Sequence, residues 1–115
     1  MNCLTMLGVS DVEKSSQWFQ DLFGWKSNHG GPHFESLVDQ ENNEKLLLHH
    51  LDKQSNLLGN GVTIYVDVGD LKSFFSKAKE LGAQIVAEPH FNELSHINEC
   101  TIRDKHGYLF TARQN

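Results

Sequence analysis

Apolar and polar positions follow one another in the same order twice along this chain. Leu4-Thr5-Met6-Leu7-Gly8-Val9 alternates as a short strand and leads to Asp11, a good helix N-cap. Val12, Ser15, Phe19, Leu22 and Phe23 then share one face at helical spacing, with Trp18 beside them. Gly24 stands where a left-handed residue ends a helix. Farther on, Thr63-Ile64-Tyr65-Val66-Asp67-Val68 leads to Asp70, and Leu71, Phe74, Phe75, Ala78 and Leu81 repeat the stripe before Gly82. Asp11 and Asp70 lie 59 positions apart in a chain of 115 residues, so one strand–helix–strands module occurs twice.

Within the first copy, Trp25 to His29 reads as a short strand broken by Gly30-Gly31-Pro32, and His33 to Val38 as a second. A polar turn, Asp39 to Glu44, precedes a third strand from Lys45 to Leu51. In the second copy Gln84 to Ala87 is a strand ended by Glu88-Pro89, and Phe91 to Leu94 is irregular. Ile97 to Arg103 and Tyr108 to Arg113 are strands joined by the tight turn Asp104-Lys105-His106-Gly107. Each copy is thus βαβββ. The expected class is α+β, with eight strands and two helices in a single domain. Its first module spans residues 1–52, a polar linker 53–61, and its second module 62–115.

Composition narrows the function classes. A net charge of −5 argues against nucleic acid and anionic membranes as partners, and suits a cationic ligand without selecting one. No apolar run approaches the roughly 18 residues of a membrane span, and no signal peptide is read before Leu4. Cys3 and Cys100 form no CxxC pair, so reduced thiols and a cytoplasmic location are expected.

Certain segments carry a family resemblance. Val9-Ser10-Asp11-Val12 with Leu22-Phe23-Gly24-Trp25 resembles the opening of the glyoxalase/bleomycin-resistance/dioxygenase (vicinal oxygen chelate) superfamily. So do Val66-Asp67-Val68-Gly69-Asp70-Leu71, Ala78-Lys79-Glu80-Leu81-Gly82-Ala83 and Glu88-Pro89. The turn Arg103-Asp104-Lys105-His106-Gly107-Tyr108 is similar to that family's Asp-Pro-x-Gly-Asn turn, with lysine for proline. The resemblance implies that the paired modules form a cupped, eight-stranded mixed sheet with the helices outside. Alternation then sends Ile64, Val66 and Val68, and likewise Thr5, Leu7 and Val9, toward the helices. Thr63, Tyr65 and Asp67, with Leu4, Met6 and Gly8, line the concave side.

Metal-using members of the family place ligands on the first and last strand of each module. Here those points are Leu4, Thr63, Thr111 and His49, with His50 as the alternative across an uncertain turn. Leucine cannot coordinate, and neutral threonine hydroxyls are poor ligands for a transition metal. No metal and no cofactor are therefore expected. The other histidines lack helical i, i+4 or short-loop spacing. His29 and His33 flank the glycines, while His90, His96 and His106 fall in loops or turns and read as surface or hydrogen-bonded residues.

These readings converge on a protein that binds or sequesters a small organic ligand. The expected lining is Leu4, Met6, His49, Thr63, Tyr65 and Thr111, with Asp67 as the best lone acid or base and Trp25 as core or a stacking rim. The resemblance also implies a homodimer. Two alternatives stay open: a lyase or dioxygenase-type enzyme, with a metal site rebuilt around His49 and other residues or a metal-free acid–base mechanism through His49 and Asp67, and a structural or regulatory domain with a filled cup.

Overall fold

The structure, a computed structural model, describes residues 3–52, 58–59 and 62–114. The chain divides into two compact units, residues 1–54 and 55–115. Apart from Leu58 and Gly59, the expected linker lies outside the described residues.

Unit 1 contains β1 (Met6–Val9), α1 (Val12–Phe23), β2 (Lys26–Ser27), β3 (Phe34–Val38) and β4 (Glu44–His50). Its sheet has the order β1-β4-β3-β2, with β1 parallel to β4 and the other pairs antiparallel. Asp11 caps α1 by accepting the Lys14 N–H at 3.0 Å. Gly24, at φ 74°, ends it and donates its N–H to the Gln20 carbonyl. Leu7, Val9, Leu37, Leu46 and Leu48 pack with Val12, Phe19 and Leu22 in a core where none is more than 6% exposed. Burying side chains of this kind contributes about 1.5–3 kcal/mol each.

The expected strand at Trp25 to His29 shrinks to two residues for a physical reason. Beyond Ser27, the His29 and Gly30 N–H groups turn onto the Glu35 carboxylate at 3.0 and 2.9 Å, leaving the ladder. Gly30 and Gly31 supply the positive φ this turn needs.

Unit 2 repeats the plan with β5 (Thr63–Asp67), α2 (Leu71–Glu80), β6 (Gln84–Asn92), β7 (Ile97–Arg103) and β8 (Leu109–Gln114). The order is β5-β8-β7-β6, again mixed, with β5 parallel to β8. Asp70 caps α2 by accepting the Ser73 N–H at 3.1 Å. Leu71, Phe74 and Ala78 pack on Cys100, Ile102, Phe110 and Ala112.

One expectation is corrected by the structure. β6 does not stop at Glu88-Pro89 but continues to Asn92, so His90 lies in a strand and not in a loop. Proline is tolerated because β6 is an edge strand and its register shifts between Ala87 and His90. His106 does sit in the β7–β8 turn, yet it is buried beside Asp104, with Nδ1 3.6 Å from Oδ2. No helix among the described residues is long and apolar enough to cross a membrane.

Candidate functional site

In each unit the helix covers one face of the sheet, and the other face carries the candidate residues. Register assigns them. In unit 1, Leu7 pairs with Leu48 on the helix side, so Met6 with Leu47 and Gly8 with His49 occupy the open face. Phe34 stands on the far side of His49. His49 is therefore the open-face histidine, whereas His50 shares the parity of Leu48. Met6 is 50% exposed and Leu4 38%. Gly8 has a packing reason: a Cβ there would stand 2.7 Å from Cδ2 of Leu51. Trp25 lies just past the C-terminal end of α1. Its ring stacks on Phe23 of α1 with centroids 4.4 Å apart, at the helix end.

In unit 2, Ile64 pairs with Phe110 and Val66 with Ala112 toward the helix. Thr63, Tyr65 and Asp67, paired with Leu109, Thr111 and Arg113, form the open face. Tyr65 is 57% exposed, and the Arg113 guanidinium lies 5.8 Å from the centre of its ring. Thr111 is buried, its hydroxyl 2.8 Å from that of Thr101. Asp67 is not a lone carboxylate, because Arg113 Nε donates to its Oδ1 at 2.7 Å.

The open face of unit 2 also holds residues not anticipated from the sequence. Glu99 pairs in register with Arg113 on one side and His90 on the other. Although it is only 7% exposed, its Oε1 accepts from Asn92 Nδ2 at 2.8 Å and lies 4.0 Å from His90 Nε2. Asp67, Arg113, Glu99 and His90 thus form one row across all four strands. Counting back by two from Thr111 through the Gly107 turn would have placed Thr101 and Glu99 on this face.

The four points where a metal-using relative would carry ligands hold a poor donor set. Leu4 offers no donor, and the Thr111 hydroxyl is already engaged by Thr101. Among the described residues no group of three or more His, Cys, Asp or Glu side chains is placed to hold a metal ion. These residues do not fit a transition-metal centre at the familial position.

Solved structures share the fold. A hypothetical protein from S. aureus is 21% identical, with 100% of this chain and 97% of that one covered and a TM-score of 0.76. A bleomycin-binding protein complexed with bleomycin is 18% identical over 100% and 98% of the two chains, with a TM-score of 0.75. The fosfomycin resistance protein FosX from Mesorhizobium loti is 11% identical over 100% and 91%, with a TM-score of 0.76. No curated protein matches this chain. Residues 4–111 match the family model of the Glyoxalase/Bleomycin resistance protein/Dioxygenase superfamily, and the chain belongs to that superfamily.

Proposed function

We propose that this protein binds and sequesters a small organic molecule on the open face of a sheet, without a metal of its own. One observation carries the reading. Leu7 and Leu48 in unit 1 and Phe110 and Ala112 in unit 2, all on the helix side, are buried, while Met6 and Tyr65 on the opposite faces remain half exposed. Large apolar groups left on one face of a sheet mark a surface that awaits an occupant. Leu4, Met6 and His49 supply the contacts in unit 1, and Thr63, Tyr65, Asp67 and Thr111 those in unit 2; Trp25 is left to the helix end. The exposure of Met6 and Tyr65 disfavours faces wholly filled by their own side chains, and the Arg113 ion pair disfavours Asp67 as a free base.

The protein works as a cytoplasmic homodimer in this reading, since exposed strand edges need cover and two-fold pairing supplies it. The test is a thermal-shift screen against small organic molecules, bleomycin among them, with Tyr65→Ala and His49→Ala beside the wild type. Compounds that raise the wild-type melting temperature but not that of the variants support it. A blank screen, with both variants folded, removes it.

A further inference from the structure

The row across unit 2 contains two opposite charges that face each other and do not pair. Glu99 and Arg113 are Cα partners across β7 and β8, a placement in which opposite charges ordinarily join. Each turns to another neighbour instead. Arg113 spends only Nε on Asp67, and its guanidinium lies over the Tyr65 ring. Nη1 and Nη2, the fork that matches a carboxylate in two parallel hydrogen bonds, donate to nothing among the described residues. Glu99 spends only Oε1, on Asn92 and His90, while Oε2 accepts from no described residue. Glu99 is 7% exposed, yet its Oε2 is not sealed from solvent and is open to a further donor.

An oriented guanidinium fork beside a half-satisfied carboxylate complements a group that carries both charges. We propose that unit 2 binds a zwitterionic organic group, its carboxylate on Arg113 and its basic nitrogen on Glu99. The body of the ligand lies along the next row, over Tyr65, Thr111 and Thr101. This assignment rests on the small-molecule reading above and names the chemical class of the ligand. Both polar ends contribute, because a carboxylate alone engages only the Arg113 fork and an amine alone engages only Glu99.

The test is calorimetric titration with three probes that share a phenyl body: L-phenylalanine, phenethylamine and 3-phenylpropionate. The wild type is expected to bind the amino acid at least about tenfold more tightly than either analogue, the worth of one charge-assisted hydrogen bond. Arg113→Gln should abolish the advantage over phenethylamine, and Glu99→Gln the advantage over 3-phenylpropionate. Equal wild-type affinities for the three probes overturn the proposal, as does failure of L-phenylalanine to bind. Neither result touches the broader reading if other compounds still shift the melting temperature in a Tyr65-dependent way. The wild-type comparison decides the matter even if a variant fails to fold.

Discussion

The Ser16 hydroxyl on α1 donates to Glu35 Oε2 on β3 at 2.8 Å, tying helix to sheet through a carboxylate that is 3% exposed. The Ser27 hydroxyl adds a second bond at 2.7 Å, and the N–H groups of His29, Gly30 and Ser36 supply three more. Burial pushes this carboxyl's pKa up. The hydrogen bonds from Ser27, Gly30, Ser16 and His29 outweigh it, and the net position is below the ordinary 4.5.

Glu35→Gln is expected to cost about 2–4 kcal/mol at neutral pH, because one amide cannot accept what two charged oxygens accept and its NH2 meets donors. The pH dependence has a definite sign. A pKa depressed by folding gives stabilisation that is complete above the unfolded value, near 4.5, and lost as pH falls through the lower folded value. Denaturant midpoints should therefore drop more steeply below pH 5 in the wild type than in Glu35→Gln. Parallel curves would show that Glu35 is not the titrating group.

Much of this was legible because both modules obey simple periodicities. The caps at Asp11 and Asp70, the Gly24 stop and the β7–β8 turn are local chemistry, and each stands where the residues placed it. The parity of Met6 against Leu7 and of Tyr65 against Ile64 follows from strand alternation alone. What escaped depends on partners distant in sequence. Pro89 reads as a strand end unless β6 is known to be an edge. Trp25 reads equally as core or as a rim aromatic unless its stacking on Phe23 is known. The ion pair of Asp67 with Arg113 spans 46 residues of sequence, beyond the reach of any local signal.

The two cysteines should differ sharply in reactivity. Cys100 is fully buried on β7, and burial, with the charge of adjacent Glu99, pushes its thiol up to about 11. Cys3 is exposed. An aromatic disulfide reagent at pH 8 is expected to modify one thiol rapidly in the native protein and the second only on unfolding. Rapid modification of both would place Cys100 outside the core.

Gly59 is tested by a single methyl group. A Cβ there would stand 2.5 Å from both the Gly107 carbonyl oxygen and the Tyr108 Cα, backbone atoms that cannot swing aside. Gly59→Ala should lose about 1–3 kcal/mol of stability through overpacking. At Gly69 a Cβ meets nothing within 4 Å, so Gly69→Ala serves as the tolerated control. Equal melting temperatures for the two variants would remove the contact between Gly59 and the β7–β8 turn.

Metal content follows from the donor set. With Leu4 and Thr63 at the first-strand points and the Thr111 hydroxyl engaged by Thr101, purified protein is expected to carry no stoichiometric transition metal. Elemental analysis showing about one ion per chain, lost on His49→Ala, would contradict this and favour a site rebuilt around that imidazole.

The two faces of β5 should respond oppositely to truncation. Ile64 and Val66, each partly buried, point to the helix side beside Phe110 and Ala112, which are fully buried. Ile64→Ala removes packed methyls and leaves a cavity that the sheet cannot close, so a loss of about 1–4 kcal/mol is expected. Tyr65 projects from the other face, more than half exposed, with the Arg113 guanidinium over its ring. Tyr65→Ala gives up that contact and little burial, so it should cost less than about 1 kcal/mol in stability while weakening whatever binds the face. Denaturation midpoints of the two variants, measured side by side, decide the register. If Tyr65→Ala were the more damaging, the tyrosine would be packing a core, and the open face of unit 2 would not be available to a ligand.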